Sequence, residues 1–277
     1  MIDLYFDYQK KNVFKIPDSI SLERNSYEIS DRISNGGNAV VHKCFDSIGN
    51  EYAIKFFLKT EPVKKKRFLQ EIEVMEKIDH HHIVKVLDSG IVSVQNKQVS
   101  EAPCIVMELA DSNLQMLKNQ KEIPYFDYIE QFRGLSSALA ELHKLGIHRD
   151  IKPDNILIFG DRWVLSDFGL FKYNEPNNLN LTNTDEIPNP KTWLSPEGIN
   201  SYYSTDSISH ASDVFQMGCI FWYVVNGKYP LGVVEKDDWK GKESLFEFMI
   251  KTLFHNVKKR ISNGTEMLQY LEDSLIA

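Results

Sequence analysis

Cysteine is scarce in this chain. Its three cysteines, Cys44, Cys104 and Cys219, are far apart and belong to no paired motif. An odd, scattered set of thiols argues against a disulfide framework and against a zinc site, and fits a reducing, cytoplasmic compartment. Long apolar runs are missing too. No uncharged apolar stretch reaches the ~18 residues that a membrane helix needs, and the longest candidate, residues 214–225, reads as a buried core helix. The opening stretch MIDLYFDYQKKNVFKIP carries charges throughout and does not read as a signal peptide. A basic excess is absent: 32 Lys and Arg stand against 39 Asp and Glu, a net charge of −7. That balance argues against nucleic acid or an anionic membrane as the main partner. Glycine and proline are at ordinary levels, and neither a repeat nor a low-complexity linker occurs, so the chain is not of the disordered class. What is present is 42% apolar residues, with aromatic residues making up 12% of the chain, over 277 positions. That is ample for one large core or two small ones.

The most informative stretch is Ile147-His148-Arg149-Asp150-Ile151-Lys152-Pro153-Asp154-Asn155-Ile156-Leu157. Pro153 forbids a regular helix or a central strand there, so a charged loop is held between two apolar runs. Ten residues on comes Ser166-Asp167-Phe168-Gly169. An Asp, a Lys two residues later, an Asn three after that and a second Asp on a neighbouring turn suit one chemistry. The Asn and the second Asp can hold Mg²⁺ on a triphosphate, while the first Asp accepts a hydroxyl proton and the Lys screens charge. The run HRDIKPDN followed by DFG resembles the catalytic and metal-binding loops of the protein kinase family.

Other segments carry the same resemblance in order. Residues 1–26 have no motif, and an extra strand and a docking tail both remain open. From Tyr27 the pattern is of strands. Small residues in Ser34-Asn35-Gly36-Gly37-Asn38-Ala39 form a turn whose backbone N–H groups can approach phosphate. In the family's glycine-rich loop, Ser34 and Ala39 stand where two of three glycines are usual. The resemblance implies nucleotide contacts from Ile33, Ser34, Gly36, Gly37, Ala39 and Val41. Glu51-Tyr52-Ala53-Ile54-Lys55-Phe56-Phe57 reads as a strand by alternation, and Ala53-Ile54-Lys55 resembles the family's Ala-x-Lys, whose Lys binds the α and β phosphates. Phe68, Leu69, Ile72, Met75 and Ile78 recur at helical spacing. Glu71, beside that stripe, matches the Glu that pairs with Lys55; Glu73 and Glu76 are more solvent-facing in phase. Lys64-Lys65-Lys66-Arg67 reads as the solvated start of this helix. His80-His81-His82 make a poor chelate, because successive side chains diverge on any regular backbone.

Strands follow near residues 84–90 and 104–108, with a hairpin region between. Met107 matches the gatekeeper, and Glu108 and Ala110 match the hinge positions whose backbone holds adenine. Near residue 111 the period changes from strand to helix, which marks a small β-rich lobe followed by an α-rich one. The resemblance then makes Asp150 the base and places Lys152 near the transferred phosphoryl group. It makes Asn155 and Asp167 the Mg²⁺ ligands and Leu157 the floor under adenine. His148, Phe168, Met75 and Val86 match the family's supporting apolar column. Residues 170–194 lie in the activation segment, rich in Asn, Thr and acid. Arg149 is of the type that pairs with a phosphorylated residue, which makes Thr182 and Thr184 candidate phosphosites. Lys191-Thr192-Trp193-Leu194-Ser195-Pro196-Glu197 resembles the segment ending in Ala-Pro-Glu, with Asn189-Pro190 where Gly-Thr is usual. Glu197 is expected to pair with Arg260, and Asp213 to tie a buried helix to the catalytic loop.

The expected fold is therefore α+β: a bilobal protein-kinase-like fold with an extension over 1–26, an N-lobe over 27–110 and a C-lobe over 111–277, residues 27–270 forming one kinase domain. The expected activity is ATP- and Mg²⁺-dependent phosphorylation of Ser or Thr hydroxyls of protein substrates, with autophosphorylation in the activation segment. The alternatives are a nucleotide-holding scaffold and a small-molecule phosphotransferase. Neither nucleic acid nor a membrane span is expected.

Overall fold

The computed structural model describes residues 1–5, 13–35, 39–59, 61–174, 193–201 and 207–276. The chain divides into two compact units, residues 1–79 with 84–110, and residues 80–83 with 111–277.

Alternating apolar residues build the first unit. Its elements are β1 (Ile2–Leu4), β2 (Phe14–Ile16), β3 (Ser19–Ser21), β4 (Ser26–Asn35), β5 (Ala39–Asp46), β6 (Glu51–Phe57), α1 (Pro62–Lys77), β7 (Val86–Ser93) and β8 (Glu101–Glu108). Six of the strands form one antiparallel sheet in the order β3-β4-β5-β6-β8-β7. The β5–β6 turn is fixed by Asp46, whose carboxylate accepts from the Ile48 and Asn50 N–H groups, the Asn50 amide and the Tyr52 hydroxyl. Gly49 supplies the positive φ of 90° that this turn needs.

The described parts of residues 1–26 include three short strands. β3 extends the sheet, and β1 pairs with β2. Leu4, Phe14 and Ile16 are fully buried in a cluster with Val40, Cys44, Ile54, Phe56, Cys104 and Val106. The period-2 pattern of β5 and β6 puts these sheet residues on one face, and the extension covers it. α1 starts with Pro62 in its first turn, where a missing N–H costs nothing. It buries Phe68, Glu71, Ile72, Val74 and Met75. Leu69, expected on the apolar stripe, is instead exposed; its helical phase puts it off the buried face, on the side of Glu73 and Glu76.

The second unit is helical. It contains β9 (Ser112–Asn113), α2 (Leu114–Gln120), α3 (Tyr125–His143), β10 (Gly146–Ile147), β11 (Ile156–Phe159), β12 (Arg162–Leu165), β13 (Lys172–Tyr173), α4 (Pro196–Asn200), α5 (His210–Asn226), α6 (Phe246–Leu253) and α7 (Gly264–Ile276). α5 is buried along most of its length, and its Phe221 stacks on Phe132 of α3 with ring centroids 3.7 Å apart. Gly227, at φ 75°, closes α5 in the left-handed conformation. α7 packs against α3 at Gly264, where a Cβ would lie 2.3 Å from the Ala140 nitrogen. His82 seats its ring against Gly134 and donates from Nδ1 to the Trp163 carbonyl at 2.7 Å. His80, bonded through its ring to the Ser137 hydroxyl, and His82 thus serve packing and hydrogen bonding, while His81 is exposed; among the described residues no group of three or more His, Cys, Asp or Glu is arranged to hold a metal. Among the same residues no helix is long and apolar enough to cross a membrane.

Candidate active site

In the first unit, Lys55 sits at the centre of β6, its Cα paired with Val41 of β5 on one side and Ile105 of β8 on the other. A lysine in mid-sheet needs an anionic partner. Its Nζ donates to Glu71 Oε1 of α1 at 2.6 Å, with the two side chains 15% and 4% exposed. Of the three acids offered by the helix, Glu71 is the buried one. Ala53 is paired with Met107, and Ser34 with Val41. Ala39 and Ala53 are buried, Val41, Met107, Glu108 and Ala110 are half-buried, and Ile33 and Ser34 are exposed. Gly36 and Gly37 lie outside the described residues.

In the second unit, the loop before β11 is held from beneath by α5. Asp213, fully buried, accepts from the His148 N–H at 2.7 Å, the Arg149 N–H at 2.8 Å and His143 Nε2 at 3.2 Å. Burial alone would raise its pKa, but His143 and these donors hold it below the ordinary range, so it stays ionised. Three residues along the same helix, Gln216 Oε1 accepts from the Ile151 N–H at 3.3 Å. These anchors hold Arg149 at φ 75°, a conformation that non-glycine residues rarely adopt.

The loop side chains converge on Asp150. Its Oδ2 accepts from Lys152 Nζ at 2.7 Å and from Asn155 Nδ2 at 3.1 Å, and Asn155 Nδ2 also donates to the Asp150 carbonyl at 2.8 Å. Burial pushes the Asp150 carboxyl above the ordinary Asp range, and the nearby Asp167 charge adds to this; Lys152 offsets part of the rise. The β11–β12 hairpin then brings the second acid in. Ile156 pairs with Leu165, and the Ser166 N–H and hydroxyl both donate to the Asn155 carbonyl. Asp167 follows at φ 64°. His148, fully buried and kept neutral by that burial, donates from Nε2 to the Ser166 carbonyl at 3.2 Å and packs its ring 5.0 Å from Phe168. Leu157 faces Val164 and Asn113 as strand partners.

With Asn155 Nδ2 turned to Asp150, the amide oxygen is the atom left to meet a cation. An amide oxygen with the Asp167 carboxylate is a hard-oxygen donor set of the kind Mg²⁺ takes together with phosphate oxygens and water. Farther along, Glu197 is buried and clamped by Arg260 at 2.7 and 3.1 Å and by the Ser212 hydroxyl at 2.7 Å. Burial alone would raise the Glu197 carboxyl; Arg260 and Ser212 more than offset it, and it is held low. Thr182, Thr184, Asn189, Pro190 and Thr192 lie outside the described residues. Two groups escaped the reading of the sequence, His143 and Gln216. The available signal was Gln216 itself, a polar residue in an apolar helix three positions from Asp213 and so on the same face.

Residues 27–275 match the family model described as protein kinase domain. The chain belongs to the protein kinase family. It is similar to a protein named probable serine/threonine-protein kinase PknB from Bifidobacterium longum, 27% identical over 220 residues, which is 76% of this chain and 31% of that protein. A protein of the same name from Corynebacterium glutamicum is 31% identical over 214 residues, 74% of this chain and 32% of its own length. Human serine/threonine-protein kinase/endoribonuclease IRE2 is 42% identical over a shorter stretch of 106 residues, 35% of this chain and 11% of that protein. The kinase spans about a third of the length of the first curated relatives it matches.

Proposed function

We propose that this kinase transfers the γ-phosphoryl group of ATP to Ser or Thr hydroxyls of protein substrates. The observation that carries the reading is the Asp150–Lys152–Asn155 constellation, held on backbone that Asp213 fixes. In this reading Asp150 orients the substrate hydroxyl and receives its proton as the oxygen bonds to the γ-phosphorus and the bond to the β–γ bridging oxygen breaks. Lys152 places positive charge beside the transferred group. Asn155 and Asp167 would hold Mg²⁺, which when bound neutralises charge on the phosphates. Lys55, fixed by Glu71, would hold the α and β phosphates. Ile33, Ser34, Gly36, Gly37, Ala39, Val41, Ala53, Met107, Glu108, Ala110 and Leu157 would line the nucleotide. Residues 27–110 and 111–277 are read as the two lobes of one catalytic domain that begins after the 1–26 extension.

We further propose autophosphorylation at Thr182 or Thr184, with Arg149 as the partner of the new phosphate. The three free, buried thiols are consistent with a reducing, cytoplasmic setting. The relatives' names supply the Ser/Thr preference. Ser34 and Ala39, in place of glycine, favour a second reading as a nucleotide-holding scaffold. Transfer of label from γ-labelled ATP with Mg²⁺ to general protein substrates separates the two. Transfer by the wild type that is lost in Asp150→Asn supports the kinase. Nucleotide binding without transfer supports the scaffold. Phosphopeptide mapping that finds both threonines bare in active enzyme removes the autophosphorylation.

A further inference from the structure

Two side-chain nitrogens of the first unit, one on buried His42 and one on half-buried Arg32, are buried without a hydrogen bond, and their residues are neighbours. His42 lies on β5 and is 4% exposed. Its Nδ1 donates to the Ser30 carbonyl at 2.8 Å, which leaves Nε2 as the free end of the ring, and that atom is buried with no hydrogen bond. Arg32 of β4 is the Cα partner of His42 in the ladder. Its guanidinium lies over the Tyr5 ring, 4.6 Å from the centroid, and its Nη2 is likewise buried with no hydrogen bond. Register irregularities flank Arg32 on both sides, so the strand bulges where the pair occurs. His42 shares the strand face of Val40 and Cys44, while Val41 and Lys43 alternate to the other. The pair therefore sits on the face covered by the N-terminal extension, opposite the one that carries Val41.

Buried polar groups are almost always satisfied, and unpaired ones call for an explanation. Arg32 can only donate. His42 Nε2 accepts when neutral and donates when protonated. A ligand that meets both must accept from a guanidinium and either give a proton to the imidazole or accept one from imidazolium. Phosphate does all of this: it has several oxygens, spans two donors and carries a titratable proton near neutrality. We propose that Arg32 and His42 form a binding site for a phosphate group, free or as a monoester, distinct from the nucleotide-binding residues.

The titratable and charged groups around His42 agree. Burial and the Arg32 charge lower its pKa, and the Ser30 carbonyl and Asp31 pull in the opposite direction. An anion between Arg32 and His42 cancels the first charge and favours the imidazolium, so binding is coupled to proton uptake at His42.

The test is the nitrogen and carbon shifts of the His42 ring by NMR in the full chain, assigned with His42→Gln, while inorganic phosphate is titrated at constant ionic strength against chloride. Reading His42 itself separates this site from phosphate bound at any other lysine or arginine. The expected result is a saturable shift with a higher His42 titration midpoint, at least ten-fold weaker in Arg32→Gln. The melting temperature of Arg32→Gln without phosphate should match the wild type, which shows that the variant folds. O-phosphoserine as a second titrant distinguishes the sources: a response equal to that of phosphate admits phosphorylated side chains, and a response to inorganic phosphate alone limits the site to the free anion. A His42 signal indifferent to both titrants, or an undiminished response in Arg32→Gln, overturns the proposal.

Discussion

Lys55 Nζ and Glu71 Oε1 meet at 2.6 Å across sixteen residues of chain, with the glutamate almost wholly buried. The strand side of the pair is fixed by two neighbouring strands, the helix side by the apolar face of α1. Each side chain compensates the other in a place where a lone charge is costly. Replacing Lys55 with Met should therefore do two things. It should reduce kcat/KM for phosphoryl transfer by about 10³-fold, the scale for removing one preorganised donor. It should also lower the melting temperature, because Glu71 is left buried and unpaired. Glu71→Gln should leave Lys55 tethered by a neutral hydrogen bond and cost less, about 10- to 100-fold by the same scale. Steady-state transfer rates and circular-dichroism melts check both. Equal activity of Lys55→Met and wild type would remove Lys55 from the phosphate contact.

The Asp150 carboxyl is raised by burial and by Asp167, and lowered by Lys152. A base must be ionised, so activity should fall as pH drops through the Asp150 pKa, and this acid limb should lie above the ~3.9 of a free Asp. Lys152→Ala removes the nearest positive charge, which raises the carboxyl further. The acid limb of log kcat/KM should then move to higher pH, beyond any loss of rate at the plateau. A pH–rate profile from about pH 5 to 9 tests the sign; a limb that stays in place or moves down contradicts the role given to Asp150. Asp150→Asn should abolish transfer without lowering the melting temperature at neutral pH, because a carboxyl whose folded pKa is raised weakens the folded state when ionised.

Much of this was readable from the chain because local rules and family motifs agree. Lys55 lies in an alternating strand, Glu71 in helical phase, and Asp150, Asn155 and Asp167 in turns that Pro153 and Gly169 signal. The kinase fold followed from the order of those motifs. Three kinds of feature were not readable. Contacts over long sequence distances, such as the hydrogen bond of the His143 ring to Asp213, leave no periodic trace. The positive φ of Arg149 and Asp167 is imposed by tertiary anchors on residues that do not prefer it. The extension over residues 1–26 has strands of three residues, too short for alternation to distinguish from a polar tail.

Glu197 and Arg260 form another buried ion pair, with Arg260 also donating to the carbonyls of Ala211, Phe254 and His255. Removing one member of a buried, hydrogen-bonded pair costs about 3–5 kcal/mol, so Arg260→Ala should unfold at markedly lower denaturant than wild type. The pH dependence has a definite sign. The Glu197 carboxyl is held below its ordinary value, so its contribution is complete above the unfolded pKa of ~4.3 and fades as pH falls through the lower folded value. Glu197→Gln should be less stable than wild type at pH 7, and the gap should narrow below about pH 4. Urea titrations at both pH values measure it. A gap that widens on acidification would contradict the clamp.

The N-terminal extension is part of the core of the first unit. Phe14 is fully buried beside Leu4 and Ile16, and β2 is tied to the β7–β8 hairpin by reciprocal Lys15–Gln95 backbone hydrogen bonds and by Asn96 Nδ2 to the Val13 carbonyl. Phe14→Ala should destabilise by about 3–5 kcal/mol, the usual cost of truncating a buried aromatic. Lys15→Ala, at an exposed side chain between two buried neighbours, should change stability by less than about 0.5 kcal/mol. The cysteines give a second readout. Cys44 and Cys104 belong to the same cluster, and burial pushes both thiols up to about 12, so in the intact fold they should react slowly with a disulfide reagent. Loosening the extension should speed their reaction in Phe14→Ala while Cys219, buried in α5, stays slow. Uniform acceleration of all three thiols would instead indicate global unfolding, and unchanged reactivity of Cys44 and Cys104 with unchanged stability would show that the extension does not seal this face.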